Sequence, residues 1–495
     1  MFESFQSRVA TARENNQLFF AALLPAERIS SMFEEASLIL DSARVYTTAV
    51  TVWTLLSQVL NSDHSCVSTV AKLIAFCASN NQSTPSANTG GYCIARDKLD
   101  EDAMQRTLCQ TGKAIEEAAP DHWLWLGHRV ITGDGTTVTM PDTPANQKDY
   151  PQISAQKEGC GLPLMRMVVL FAISTGVVLH MATGQYKGKL TAEVSLFRTI
   201  DEIIEENDVF LADRAYSSWF EIARLSRRGA HIVVRKHQIR KTDFRKGKRL
   251  GKDDHIEVWA KPVRPSWMTT EEYATYPDSI EVREVRVRIE TDGFRTREVL
   301  VVTDLLDPLQ YSKDDLAALY RRRWQAELNL RSLKTHMQMD HLRCKKPHRV
   351  HNEVRAHMIA YNLIRQLMSE AAMKANVQPW QISFKNSMQT LNEMLPILAA
   401  IDNHAKLCQT MLKCCTQHAV GNRPDRYEPR VVKRRPKSYT FMTKPRFSNK
   451  LTPRLLYCVK SIVCPTTMGN STPLIKTRKS TISQYLVLYM FGRAT

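Results

Sequence analysis

No acidic residue follows Glu428 in this 495-residue chain, although 50 Asp and Glu lie at or before that point. Hydrophobic runs of membrane length are missing as well. The longest are Met167–Ile173, with Val177–Leu179 after it, and Tyr485–Phe491. All fall far short of the ~20 residues a spanning helix needs. The early apolar run Phe19–Leu24 is too short and too late for a secretory signal. The eleven cysteines include no Cys-x-x-Cys pair. A disulfide scaffold is therefore excluded, and reduced thiols in a cytoplasm are expected. No repeat of roughly 20–50 residues is present, which excludes a solenoid.

What is present is a globular composition, 43% hydrophobic and 24% charged, with length for about three domains. The charge is unevenly placed. Of 68 Lys and Arg, fourteen fall in residues 429–495, leaving 54 against 50 acids in residues 1–428. A balanced body with a polybasic tail suits a polyanion partner. A solvated tail without a specific partner is the plainer alternative.

Residues 1–120 have helical spacing, in Ala26–Leu40, Val45–Leu60, Val67–Ala78, Cys93–Arg96 and Glu101–Ala119, with a polar linker from Ser79 to Gly91. Short helices joined by turns suit DNA binding but also a plain bundle. The texture changes at residue 128. His128–Met140, Leu164–Ile173 and Val177–Ala182 read as a three-strand meander, Leu190–Glu205 as a helix, Asp208–Ala212 as a strand, Ser217–Ser226 as a helix and His231–Val234 as a strand. This order predicts a mixed α/β sheet of ribonuclease H-like type. A basic loop, Lys236–Lys252, opens a β insertion of about residues 236–300, with strands at Ile256–Trp259, Ile280–Ile289 and Glu298–Thr303. Long helices are expected over Ser312–Met337 and Glu353–Met373, and residues 374–417 also read as mostly helical.

The chemistry concentrates in the first of those long helices, around YRRRWQAELNLRSLK. At 100° per residue, Tyr320, Arg323, Glu327, Arg331 and Lys334 share an arc of about 80°. Leu319, Ala326, Leu330, Leu333 and Met337 form a separate apolar stripe. One acid among three cations and a tyrosine suits a metal-holding carboxylate flanked by phosphate-binding groups. The bland reading is a solvated face with an i,i+4 pair, Arg323 to Glu327. Two aspartates complete the set. Asp134 lies between two glycines in β-rich sequence, and Asp213 ends the apolar run VFLA. A carboxylate there is costly unless paired or metal-bound. Asp142 is a rival to Asp134, but it follows Pro141, where a turn explains it. His336, His341, Cys344, His348 and His351 fit no standard zinc spacing. The loop 236–252, with eight Lys and Arg, could track a DNA backbone or stay solvated.

Tyr320, Arg323, Glu327 and Lys334 match, at every interval, the Tyr-x2-Arg-x3-Glu-x6-Lys signature of the IS-four family of bacterial insertion-sequence transposases. Asp134 in DGTTVTMPD and Asp213 in ADRAYSS resemble the blocks holding the family's first two catalytic acids, and the resemblance covers about residues 30–440. It implies a ribonuclease H-like DDE domain and Mg²⁺-dependent DNA transposition. Asp134, Asp213 and Glu327 would be the catalytic triad holding two Mg²⁺ ions, with Mn²⁺ substituting. Tyr320, Arg323, Lys334, Arg214 and Arg331 would contact DNA. The partners implied are double-stranded DNA, at the element ends and target, and a second copy in a synaptic homodimer, with no membrane. A bacterial cytoplasmic, nucleoid-associated location follows. The family's flipped-base tryptophan is not carried over, because Trp259 and Trp267 lie in the insertion while residues 268–323 contain none.

The expected domains are 1–125, helical and end-binding; 126–345, catalytic; 346–425, helical; and 426–495, a basic tail. The segment 429–446 resembles the family's basic closing segment. Residues 450–495 do not, and read as a readthrough or out-of-frame extension. The alternative function is a catalytically silent, transposase-derived DNA binder.

Overall fold

The computed structural model describes residues 4–17, 19–33, 45–188, 191–288, 298–398 and 403–418, with isolated positions 401, 420, 442, 443 and 445. Residues 450–495, and all but three positions of the basic segment 429–446, lie outside the described residues. Residues 1–441 form one compact unit and 442–495 another. All elements named below belong to the first.

Among the described residues, nine strands make a single sheet: β1 (Val130–Thr139), β2 (Leu164–Ala172), β3 (Val178–Gln185), β4 (Val209–Ala212), β5 (His231–Arg235), β6 (Lys248–Gly251), β7 (Asp254–Ala260), β8 (Ser279–Arg288) and β9 (Glu298–Thr303). Their order is β3-β2-β1-β4-β5-β9-β8-β7-β6. The meander β1–β3 is antiparallel, β1, β4 and β5 run parallel, and β5 to β6 is antiparallel again. The first five strands have the order and directions expected of a ribonuclease H-like sheet. The β insertion is not a separate lobe of pairing. Its strands extend the same sheet through β5–β9 contact.

The apolar run of β2 hides a two-residue period because both faces are covered. Met165, Met167, Val169 and Phe171 enter one core, and Val168, Leu170 and Ala172 enter the opposite one. The first core also takes helices from both ends of the chain, including Thr48–Leu60, Glu101–Glu117 and Pro347–Ala375. Asn362 on the last of these bonds the edge strand β3 with both ends of its amide, accepting from Val178 N at 2.7 Å and donating to Val178 O at 2.8 Å. The opposite core holds the helices Glu193–Phe197 and Trp219–Ser226.

Three expectations are corrected. Leu190–Glu205 is not one helix; it forms only Glu193–Phe197 and a 3-10 turn, Asp201–Ile203. Ser312–Met337 is interrupted. Lys313–Arg322 starts at a capping box, Ser312 with Asp315, and ends at Arg323; Trp324–Arg331 follows, then a π-turn, Ser332–His336. The interruption has a packing reason. Leu316, Leu319 and Tyr320 enter a third core against β4, β8 and β9, whereas Ala326, Leu330, Leu333 and Met337 enter the first. One straight helix would have to serve both. Lastly, the basic loop is anchored. Lys236 is buried and its Nζ donates to both Glu284 oxygens at 2.6 Å, and residues 248–251 form β6.

Candidate active site

The register of β1 and β4 sets the first two acids. Val130, Ile131 and Thr132 pair in parallel with Val209, Phe210 and Leu211. Extended two steps past the last pair, that register points Asp134 toward Asp213. Each aspartate shares the parity of residues facing the third core, Val130 on β1 and Val209 and Leu211 on β4. That is the face over which the helices of residues 313–331 pack, because Leu316, Leu319 and Tyr320 belong to the same core. Asp134 thus follows from the strand's two-residue alternation, and Asp213 from β4 ending at Ala212.

Asp213 caps a short 3-10 turn, its carboxylate accepting from Arg214 N at 2.6 Å. Asp134 accepts from Gly135 N at 2.9 Å. Burial pushes the Asp134 carboxyl up to about 6, the neighbouring Glu193 and more weakly Glu327 adding to the effect, while Gly135 N–H and Arg323 oppose it. Glu327 is hydrogen-bonded by Arg323 Nη2 at 2.9 Å, so the i,i+4 pair named as the bland reading exists. Yet Arg323 also lies within electrostatic reach of Asp134 and Asp213. Burial weakens its cation, but Tyr320, Glu327 and Asp213 outweigh that and raise its pKa. Tyr320 is buried below, its hydroxyl pushed up to about 12 by burial, with Arg323 opposing. One guanidinium therefore sits among all three expected acids.

The remaining expected residues scatter. Arg331 is exposed one turn beyond Glu327. Lys334 lies in the π-turn, which takes it out of the angle a regular helix gives, and it pairs with Asp340 at 2.9 Å. Arg214 is exposed and donates to Gln238 at 3.0 Å, tying the second acid's turn to the basic loop. Asp142 lies exposed in the loop after β1 and accepts from Gln147 at 2.8 Å. Trp259 is buried, donating to Glu284 at 3.1 Å, and Trp267 lies 3.6 Å beneath the Arg198 guanidinium. His348 and His351 bond Asp97 at 2.6 Å and Glu101 at 2.7 Å.

Glu193, which the sequence did not single out, fills the space over Gly135. An ideal Cβ on Gly135 would stand 2.5 Å from the Glu193 carboxyl carbon. The glycine's missing side chain is the room the glutamate occupies. The signal was the Gly-Asp-Gly triplet itself, read for the bulk it removes beside Asp134 and not for what fills that space. Among the described residues no group of three acid, histidine or cysteine side chains could hold a metal ion as it stands. In donor chemistry the carboxylates suit a hard divalent cation.

Residues 125–363 match the family described as the transposase DDE domain. Transposase InsG for insertion sequence element IS4 of Escherichia coli (strain K12) is 26% identical over 428 residues, covering 84% of this chain and 92% of that protein. A cryo-EM structure of piggyBac transposase in a synaptic complex with hairpin DNA overlaps 80% of this chain and 84% of that one, with 11% identity and a TM-score of 0.39.

Proposed function

Because the chain belongs to the IS4 family of DDE transposases and acts on DNA, we propose that it cuts its element at the terminal inverted repeats and joins the freed 3′-hydroxyls to target DNA. Asp134, Asp213 and Glu327 are the acids assigned to this chemistry, and Mg²⁺, or Mn²⁺ in its place, is the ion they would hold. A bound pair of such ions would activate the attacking oxygen and steady the leaving oxygen.

The observation that carries this reading is Arg323, one cation shared electrostatically by the three acids. An incoming phosphate offers that guanidinium a bidentate partner. Transfer of Arg323 from Glu327 to phosphate frees Glu327 for the ions and fixes the DNA at once. Arg214, Arg331 and Lys334 add backbone contacts that position DNA without reading its sequence. Lys334 must first leave Asp340. Tyr320, with its hydroxyl kept neutral by burial, can donate a hydrogen bond to a phosphate oxygen.

End recognition is assigned to residues 1–125. There the helix Thr48–Leu60 is almost wholly buried, so the more open Cys66–Ser79 is the better candidate to face DNA. A synaptic homodimer, the basic tail as an accessory DNA contact, and a bacterial nucleoid location complete the proposal. No helix among the described residues is long and apolar enough to cross a membrane. The test is a strand-transfer assay on the inverted repeats flanking the gene. Metal-dependent joined products support the reading; end binding without cleavage leaves only the silent DNA binder.

A further inference from the structure

The turn between β2 and β3, residues 173–176, is bonded far more heavily than a chain reversal needs. Side chains from three helices close on it. Glu116, buried in the last turn of Glu101–Glu117, accepts from the Ser174 and Thr175 hydroxyls. Arg322, the last residue of Lys313–Arg322, donates from Nη2 to Ile173 O at 3.2 Å. Tyr361 on Pro347–Ala375 donates to Gly176 O at 2.9 Å, and Arg365 Nε donates to the Tyr361 hydroxyl at 2.8 Å. Through Nη2 the same arginine donates to Asn329 Oδ1 on Trp324–Arg331. Gly176 has φ +77°, and a Cβ there would stand 2.8 Å from the Arg365 guanidinium carbon, so both the turn and the guanidinium require glycine.

Both halves of the interrupted helix are thus tied to one point. Lys313–Arg322 reaches the turn through Arg322, the residue before Arg323. Trp324–Arg331 reaches it from Asn329, two residues after Glu327, by way of Arg365 and Tyr361. The three cores also meet there. Ile173 enters the third, Val178 the first, and Val177 the one opposite the first. Apolar packing settles which core each half of the helix enters, but it is non-directional. Hydrogen bonds are directional, and those made to a fixed turn set the angle between the halves. On packing grounds Arg322 is a poor residue for its place. Its Nε is buried and, among the described residues, has no partner. Burying part of a cation for one carbonyl bond is unfavourable, and a methionine would fill the space without that penalty.

We propose that Arg322 is a positioning residue for transposition: together with the Tyr361–Arg365–Asn329 bridge, it uses the turn of residues 173–176 to set the helix break and so fixes where Arg323 and Glu327 stand. The inference rests on the assignment of Glu327 to the chemistry and extends it. The three consecutive arginines have separate parts. Arg321 is exposed, Arg322 is turned inward to Ile173 O, and Arg323 holds Glu327. The anchor itself is firm, because Glu116 holds Ser174 and Thr175 while Asn362 holds Val178. Misplacing a reacting group by about 1 Å can cost about 10²-fold in rate. A bond remote from the DNA can therefore matter as much as a contact to it.

The test compares full-length wild type, Arg322→Met, Arg322→Lys, Tyr361→Phe and Glu327→Gln on duplex DNA carrying one flanking inverted repeat, with Mg²⁺. Single-turnover cleavage, end binding by gel shift and thermal melting are measured for each. Arg322→Met should slow cleavage by about tenfold or more. Its end binding should stay within about threefold of the wild type, and its melting midpoint should equal or exceed the wild-type one. Arg322→Lys keeps a cationic donor for Ile173 O and should recover most of the rate. Tyr361→Phe breaks the second bridge but keeps the ring against Phe171 and Phe384, and it should slow cleavage in the same direction. Near wild-type cleavage in Arg322→Met would overturn the proposal. So would a rate loss matched by a fall in the melting midpoint or in end binding, which would make Arg322 part of the general fold. Either result spares the triad as long as Glu327→Gln fails to cleave. If Glu327→Gln cleaves like the wild type, or the wild type cuts no end, the assignment of Glu327 and this inference fall together.

Discussion

The insertion buries its acids and the candidate site leaves its own half-exposed, and the chain treats the two sets oppositely. In the insertion, Glu284 lies 1% exposed between Lys236, Thr242 and Trp259, each donating to it. Asp254 is clamped through two nitrogens of the fully buried Arg283, at 2.9 and 2.6 Å. At the site, Asp134 accepts from the amide of its own neighbour, and the one nearby cation, Arg323, is bonded to Glu327. A buried pair contributes little net energy compared with apolar packing, but breaking one leaves an uncompensated charge. The insertion's acids therefore specify structure, and loss of a partner damages the fold. The candidate site's acids are more open to solvent and lack such clamps, so their loss should harm function and leave the fold intact.

Substitutions sharpen that contrast. The largest effect is expected in Asp134→Asn, Asp213→Asn and Glu327→Gln, each lowering end cleavage by roughly 10³-fold or more. Gel-shift binding of the ends should persist. Any of the three that cleaves at near wild-type rate loses its assignment. Next, Lys236→Met strands Glu284 in the insertion and should cost roughly 3–5 kcal/mol in urea denaturation. Asp134→Asn in EDTA should cost nothing, and its midpoint should equal or exceed that of the wild type. If the two variants destabilise equally, the distinction between structural and site acids fails.

A smaller effect comes from a buried base. His357 is wholly enclosed, and burial, aided by nearby His64, lowers its pKa to about 3. The folded state then refuses a proton that the unfolded chain accepts below its ordinary value near 6.5. Stability from this group is present above pH 6.5 and is lost as pH falls toward 3. Roughly 2 kcal/mol should disappear between pH 7 and pH 5. Denaturation of wild type and His357→Gln across that range should differ by this slope; parallel curves would show that the ring is not kept neutral. Smallest of all, Lys113→Ala removes an exposed pairing with Glu117 and Glu205 and should change stability by less than about 0.5 kcal/mol.

Much of the fold was legible because the signals are local. The alternation in β1, the continuous apolar run of β2 and the Ser-Thr-Gly turn after it were readable as strands and hairpin, and their order suggested the sheet. The helix of residues 312–337 was legible as to which residues are apolar, and all five stripe residues are buried. Its breaks at Arg323 and at residues 332–336 were not, since they arise where the helix passes from one core to another. Lys334 falls in the second of those breaks, where it pairs with Asp340. The basic loop read as a DNA-tracking or solvated segment, and its anchor was not legible because nothing near Lys236 in sequence announces Glu284, 48 positions later.

By itself the sequence determined which groups could perform the chemistry: a Tyr-Arg-Glu-Lys spacing on a helix and two aspartates at strand positions, all set by residue type and short intervals. The tertiary structure alone decided which of them meet. The parallel register of β1 with β4, extended two steps, points Asp134 toward Asp213, and a helix from over a hundred residues further on brings Arg323, bonded to Glu327, within electrostatic reach of both. The position of Glu193 belongs to that second category: it depends on a void at Gly135 and a hydroxyl at Tyr216, and neither a missing side chain nor a through-space bond leaves a period in the chain.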